Sequence, residues 1–391
     1  MKGTLSNVWG RVIMENKWIR AAIPALLIHS CIGSVYCWSL IKDEVAIELG
    51  NSNIEFAFSL AIFFLGMSAA FGGRFVEQNV KLSSLISTMC FTLGLLFSVL
   101  SMYTHSTVGF MLSYGCLMGI GLGIGYLSPV KTLMLWFNKH KGLATGIAIS
   151  GFGLSKVIFS PFIEWCNNSL NIYWTLSIMS LISFILMSIS AWLIKKPIKE
   201  ESHPFDIKDY TTMLKNPTYL AIWIIFYLNI TCGLALISFE KGLGLYAGIT
   251  NIGILAAFTA LFNTIGRFGY STSSDYFSNK AIIYIVIFFT SILAMIGARL
   301  WVVLIPASLC IINAGYGGGF STLPTLLQSK FGMNKISTIH GLALSAWAFA
   351  GLSGNQLSKF ILDNWNYNIL FIVLFFLYSL SFVITNKYVL K

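Results

Sequence analysis

Twelve stretches of predominantly apolar residues follow one another along this chain, each close to the roughly 20 residues that an α-helix needs to cross a hydrocarbon core. They run over 18–41, 54–73, 82–102, 107–129, 142–165 and 172–194, then, after a polar interval, over 218–239, 249–272, 281–298, 301–325, 341–361 and 367–386. In lipid every backbone polar group must find its partner inside the chain, which leaves helices as the solution for runs of this length. Composition supports the same reading: 56% of the residues are hydrophobic and 10% charged, with a mean hydropathy of +0.78. A soluble domain carries about 25% charged residues. An all-α membrane protein is therefore expected. The net charge of +11 does not point to nucleic acid, because the basic residues form no continuous stripe. The seven cysteines are scattered through the apolar runs without metal-like spacing and read as small packing residues. Residues 1–20 are polar and basic, and the first apolar run lacks a small-residue cleavage site, so no cleavable signal peptide is expected.

The distribution of positive charge tests the span map independently. With the N-terminus inside, the tails and even-numbered loops collect about 19 of the 25 Lys and Arg residues, among them Lys2, Arg11, Lys17, Arg20, Arg74, Lys81, Lys131, Lys139, Lys141, Lys195, Lys196, Lys199, Lys208 and Lys215. The opposite face has Lys42, Lys241, Arg299 and Lys359. Both termini are expected in the cytoplasm. The polar segment KKPIKEESHPFDIKDYTTMLKNP (195–217) divides the chain into a six-span half over 1–194, a cytoplasmic linker over 195–217 and a second half over 218–391. A weak repeat accompanies the division. GGRFVEQNVK (72–81) after the second span matches GYSTSSDYFSNK (269–280) after the eighth, and GLGIGYLSP (121–129) matches GYGGGFSTLP (315–324). Two halves so related frame a central site in many transporters.

The segment YGCLMGIGLGIGYLSPVKTLMLWFNKHKGLATGIAISGFGL (114–154) closely resembles the region of spans 4 and 5 in the oxalate/formate antiporter family of the major facilitator superfamily. GSVYCWSL (33–40), LNITCGLALIS (228–238), LFNTIGRF (261–268) and AGYGGGFSTLP (314–324) extend the likeness over both halves, and a more distant one reaches the proton-linked monocarboxylate carriers. The resemblance implies the major facilitator fold of twelve transmembrane helices in two six-helix halves, alternating access, and small carboxylates as substrates. It also implies a cytoplasmic gating motif at Gly73, Arg74, Glu77 and Lys81, with Asp275 in the second copy. Glu77 stands where the wider superfamily has Asp, Val80 where glycine is usual, and Ser271 where the second copy would have glycine. Oxalate carriers of the family resemble one another in a span 11 lysine. Here HGLALSAWAFAGLSG (340–354) has Trp347 near that place and no cation, which favours a monocarboxylate such as formate, pyruvate or lactate over oxalate.

An ionisable group within the bilayer costs about 2.5–3.5 kcal/mol on insertion scales and so invites a functional reason. Arg267 lies in the eighth span, and its planar fork matches a carboxylate with two charge-assisted hydrogen bonds. The family likeness makes it a substrate ligand, with Asn263 one turn earlier on the same face. The bland alternative is an arginine snorkelling to the interface near Asp275. Lys156, deep in the fifth span, is a candidate second positive charge in place of the missing span 11 lysine; its alternative is an ion pair with Glu164. His29, with Gly33 and Tyr36 on one face of the first span, is a candidate for proton coupling, or a packing residue. Tyr36, Tyr316 and Phe320 resemble cavity-lining positions of the family. The glycine strings at 119–125 and 315–319 are not a nucleotide loop, since no strand precedes them; they read as points of close helix approach.

The expected function is secondary active transport of a small organic anion, as an antiporter or proton symporter, by a monomer in the bacterial inner membrane. Other possibilities are a carrier of another small organic solute, or a membrane sensor that binds a carboxylate without moving it. An enzyme is not expected, because the spans carry isolated His, Lys and Arg with no convergent nucleophile and base, and neither a metal nor another cofactor is implied.

Overall fold

The computed structural model describes residues 16–51, 54–197, 207–334 and 336–391, with the side chains of 207–209 left out. Of the basic residues named above, Lys2, Arg11, Lys199 and the Lys208 side chain fall outside that description, as do the first and central parts of the expected first half and linker.

Among the described residues, twelve helices are long and apolar enough to cross a membrane: α1 (Trp18–Leu40), α2 (Phe56–Gln78), α3 (Val80–Tyr103), α4 (Thr107–Trp136), α5 (Lys141–Ser169), α6 (Ile172–Leu193), α7 (Pro217–Ile237), α8 (Ile252–Ser274), α9 (Ala281–Leu300), α10 (Val302–Phe331), α11 (Ile336–Asn364) and α12 (Tyr367–Val389). There is no strand among the described residues. Four of the helices outrun their apolar windows. α4, α5, α10 and α11 have 29 or 30 residues, or about 45 Å at 1.5 Å per residue, well beyond the ~30 Å hydrocarbon core. Their ends therefore stand in the headgroup layer, where polar residues extend a helix that hydropathy alone would stop. The linker also holds a short helix, Ile207–Lys215, and the Tyr210 hydroxyl donates to the Ala70 carbonyl on α2 at 3.2 Å.

A recurrent device starts the spans. The side chains of Asn79, Asn171, Asn216, Asn251 and Asn366 each accept a hydrogen bond from the backbone N–H three residues on, at the beginnings of α3, α6, α7, α8 and α12. Each satisfies one of the orphan donors of a helix N-terminus, which matters most where the helix enters lipid.

The helix pairings repeat with an offset of six. α1 packs on α5 as α7 packs on α11; α2 on α4 as α8 on α10; α3 on α6 as α9 on α12. Across the middle of the bundle α2 packs against α11, and α5 against α8, two contacts that exchange under the same offset. Small residues permit the approach. A Cβ on Gly123 of α4 would lie 2.1 Å from the Leu65 carbonyl of α2, and one on Gly121 would lie 2.5 Å from the Phe91 nitrogen of α3. Alternate glycines of this string thus seat α4 against two neighbours at once, as expected of close helix approach in membranes.

Gly266 sits where a Cβ would meet the Ala314 carbonyl of α10 at 2.1 Å, whereas three residues on, Gly269 faces open space. We expect Gly266→Ala to lower the melting temperature in detergent, with a penalty of about 1–3 kcal/mol from overpacking. Gly269→Ala should be neutral or slightly stabilising, by at most about 1 kcal/mol. Thermal unfolding followed by circular dichroism or thiol-reactive dye reads both.

Candidate functional site

Arg267 is fully buried on α8, so the structure excludes the snorkelling alternative. Its stem is threaded between two glycines from different helices. A Cβ on Gly153 of α5 would lie 3.2 Å from its Cδ, and one on Gly317 of α10 would lie 2.9 Å from its Cγ. The Nε–H donates to Asn263 Oδ1 at 2.8 Å, the one-turn pairing expected from the sequence. Both terminal nitrogens, Nη1 and Nη2, are buried and make no hydrogen bond of normal geometry to a described residue, although the Tyr36 hydroxyl lies close enough to the guanidinium to interact with it. Leaving a buried donor unmatched costs about 1–3 kcal/mol, and more when it is charged.

The guanidinium carbon lies 5.5 Å from the ring centre of Phe152 and 5.3 Å from that of Phe320, within the range of cation–π attraction. Those rings continue into an aromatic wall. Phe320 and Trp347 are 4.5 Å apart, Phe152 and Trp347 5.7 Å, and Tyr126 stands 5.6 Å from Trp347 and 5.8 Å from Phe152. The Tyr126 hydroxyl and the Trp347 indole nitrogen are buried and unpartnered too. α4, α5, α8, α10 and α11 therefore converge on one locus where four polar atoms, three of them obligate N–H donors, lack a partner.

Beside this wall lies a cavity of about 70 Å³ lined by Tyr36, Phe152, Gly153, Lys156, Asn263, Asn313, Tyr316, Thr259 and Glu240, among others. A water needs about 10–15 Å³ by this measure, so the space suits a few waters or a small ion. The Tyr36 and Tyr316 hydroxyls bond one another at 2.9 Å across it. Gly33 brings α1 so close to α5 that a Cβ would lie 2.5 Å from the Phe152 carbonyl. The tighter helical turn over Gly33–Leu40 then carries Tyr36 to the cavity. Lys156 lines the cavity and forms no ion pair within 4 Å among the described residues, with Glu164 or any other acid. His29 stands apart from the lining. It is fully buried, with Nδ1 against the Ala148 carbonyl and Nε2 3.1 Å from the Tyr126 carbonyl.

At the end of the bundle that carries the C-terminus and linker, the core is closed by two carboxylates. Asp275 accepts from the N–H groups of Gly142 and Leu143 at 2.7 and 2.9 Å, at the start of α5. Glu77 accepts from the Ser337 N–H at 2.9 Å and the Thr338 N–H at 3.4 Å, at the start of α11, and lies 3.8 Å from Lys131. Gly73 packs so closely on α11 that a Cβ would lie 2.6 Å from the Ser337 carbonyl. Of the motif residues, Gly73, Glu77 and Asp275 come together in this closure. Arg74 and Lys81 are exposed and make no hydrogen bond or ion pair to a described residue.

Sequence reasoning passed over Tyr126, Phe152, Asn313, Thr259 and Glu240. Tyr126 and Phe152 lie inside the most recognisable segment of the chain, next to its glycines, and that adjacency was the available signal.

Residues 21–355 match the sequence pattern of the Major Facilitator Superfamily, and the chain belongs to that family: it is a membrane transporter of twelve helices. It is 25% identical to the uncharacterized MFS-type transporter YhjX of Escherichia coli K12, over 84% of each chain. It is 26% identical to the oxalate:formate antiporter of Oxalobacter formigenes, over 92% of this chain and 88% of that one. With monocarboxylate transporter 13 of Bos taurus it shares 26% identity, over 93% and 86%. Among solved structures, the FucP transporter in its outward conformation superposes with a TM-score of 0.72 at 14% identity, over 93% of this chain and 97% of that one, a likeness of fold.

Asp275→Asn keeps the shape of the α5 cap and removes its charge. Hydrogen bonds to charged groups are worth about 1.5–3 kcal/mol, so the closed arrangement at this end should lose about that much. The expected readout is faster labelling of a cysteine placed at Thr145, buried between α5 and α8, in a background lacking the native cysteines.

Proposed function

We propose that this transporter carries a small monocarboxylate anion, of the class of formate, pyruvate or lactate, by alternating access across a bacterial inner membrane, as a monomer with both termini in the cytoplasm. The observation that carries the reading is the fully buried Arg267 fork, whose two outer nitrogens have no partner. A carboxylate supplies two acceptors at the spacing of that fork. In this reading the unpartnered Trp347 indole N–H and Tyr126 hydroxyl donate to the same anion, and Phe152, Phe320 and Tyr316 cover its apolar part. Trp347 offers a donor without a charge, which suits one carboxylate rather than two. The names of two relatives, an oxalate:formate antiporter and a monocarboxylate transporter, agree with the substrate class.

The cycle follows from charge. An unpaired guanidinium in a low-dielectric core opposes reorientation of the empty carrier, and a bound monoanion neutralises it. In the arrangement seen, the cavity lies toward the far end of the bundle, and the carboxylate caps of Glu77 and Asp275 hold the near end shut. Rocking of the first six helices against the last six would break those caps and expose the anion to the other side. Exchange for a second anion and co-transport with a proton both fit this scheme, and His29 is the candidate proton carrier of the core.

In proteoliposomes containing unlabelled substrate, counterflow of labelled formate, pyruvate and lactate should be saturable. Arg267→Lys should reduce uptake of the best substrate by about ten- to a hundredfold, as loss of charge-assisted hydrogen bonds worth about 1.5–3 kcal/mol implies. Undiminished uptake would sink the assignment. Trp347→Phe, which deletes one donor and keeps the ring, should raise the half-saturating concentration by about threefold to tenfold.

A further inference from the structure

The cavity beside Arg267 holds an acid as well as a base. Glu240, in the short helix Glu240–Tyr246 that follows α7, is buried, lines the cavity together with Lys156, and accepts a hydrogen bond from Thr259 Oγ1 of α8. Its carboxylate has no cation within 4 Å among the described residues. Lys156, on the α5 side of the same chamber, has no acid within that distance. The other groups around Glu240 are Asn263 on α8, Asn313, Tyr316 and the Cys310 thiol on α10, Tyr36 on α1, Tyr367 at the start of α12, whose hydroxyl approaches Gly242, and the exposed Lys241 beside it; Arg267 lies behind the lining residues Gly153, Phe152 and Asn263. None of these adds a second acid.

We infer that Glu240 sets the charge of the substrate: as an ionised carboxylate it offsets Lys156, leaves the chamber with the single net positive charge of Arg267, and thereby admits monocarboxylates while rejecting dicarboxylates. This rests on the anion-carrier reading of the Arg267 site. Lys156 and Glu240 are contributed by the first and last six helices respectively and both face the chamber, so an entering anion feels both. Charges that line one small cavity inside a protein interact more strongly than they would in water. A monoanion at the Arg267 fork brings the chamber to neutrality. A dianion would leave an excess negative charge beside a buried carboxylate, which is discrimination by repulsion rather than by fit. Without the Glu240 charge, Arg267 and Lys156 together match two carboxylates.

The experiment is counterflow of labelled formate and of labelled oxalate at pH 7.4, with the full-length chain in proteoliposomes. In the native protein formate uptake should exceed oxalate uptake. Glu240→Gln should raise the ratio of oxalate to formate uptake at least about tenfold, and Glu240→Asp, which keeps the charge, should leave it within about threefold. The double variant Glu240→Gln/Lys156→Gln restores the net charge and should return the ratio toward the native value. A ratio unmoved by Glu240→Gln, or left high in the double variant, overturns the inference, as does a native protein that prefers oxalate. So does a Glu240→Gln protein that transports neither anion, since the carboxylate would then be serving the monoanion itself. If the native protein carries neither formate nor oxalate, nor pyruvate nor lactate, the failure lies in the anion-carrier reading and not in the role of Glu240 alone.

Discussion

A guanidinium held in the middle of a lipid-embedded helix bundle is the constraint around which this structure is arranged. Burial takes it out of bulk solvent, and Asn263 Oδ1 accepts one hydrogen bond from it, where a free guanidinium has five donors to satisfy. The remaining interactions are weaker: the faces of Phe152 and Phe320, and the close walls made by Gly153 and Gly317. A side chain larger than hydrogen at either glycine would press on the arginine stem. The backbone approach of α5 and α10 to α8 is thus part of the site, and not only packing. Charge left unmatched in this way persists where a ligand of opposite sign completes the set, which is why the missing partner is informative.

The closure at one end depends on the same economy of charge, worked with backbone donors. Glu77 of α2 caps the start of α11, and Asp275 of α8 caps the start of α5. Each carboxylate meets the positive end of a helix macrodipole belonging to the opposite set of six, and the two contacts exchange under the six-helix offset. Such a cap is strong enough to hold a state, yet each of its donors can be satisfied by water once the helices part. A lipid-buried ion pair would lack that exit.

How much could be read in advance differs between the fold and the site, for physical reasons. Lipid imposes a minimum apolar length on each crossing, and that length is written locally, so the number of helices and their approximate limits follow from the chain. The overruns, by five residues at the end of α2 and by five or more in all at α4, α5, α10 and α11, arise because helicity continues in the headgroup layer after hydropathy has fallen. Arg267 and Asn263 were legible because a charge in an apolar run is conspicuous and its partner lies one turn away. Tyr126 and Phe152 were not, since 16 tyrosines and 31 phenylalanines are spread over helices that are apolar on every side. Which of them meet depends on how α4, α5 and α11 cross. Glu240 was hidden for the opposite reason: it sits just past the end of a span, where an acid is ordinary, and burial against α8 and α10 gives it meaning. Arg74 and Lys81 illustrate the converse, since they complete a recognisable motif but stand exposed and unpaired beside the closure that Gly73 and Glu77 form.

Donor chemistry and cavity size together narrow what such a site can hold. The unpartnered atoms at the aromatic wall are N–H groups of Arg267 and Trp347 and the Tyr126 hydroxyl, while acceptors are supplied mainly on the neighbouring cavity face, by Asn263, Asn313 and Glu240. A ligand presenting acceptors at one end and an uncharged body at the other satisfies the first set and fills the second space without stranding a polar group. A cation would face the arginine. A short carboxylate, the substrate class proposed above, would avoid that conflict and carry the single charge that the fork lacks.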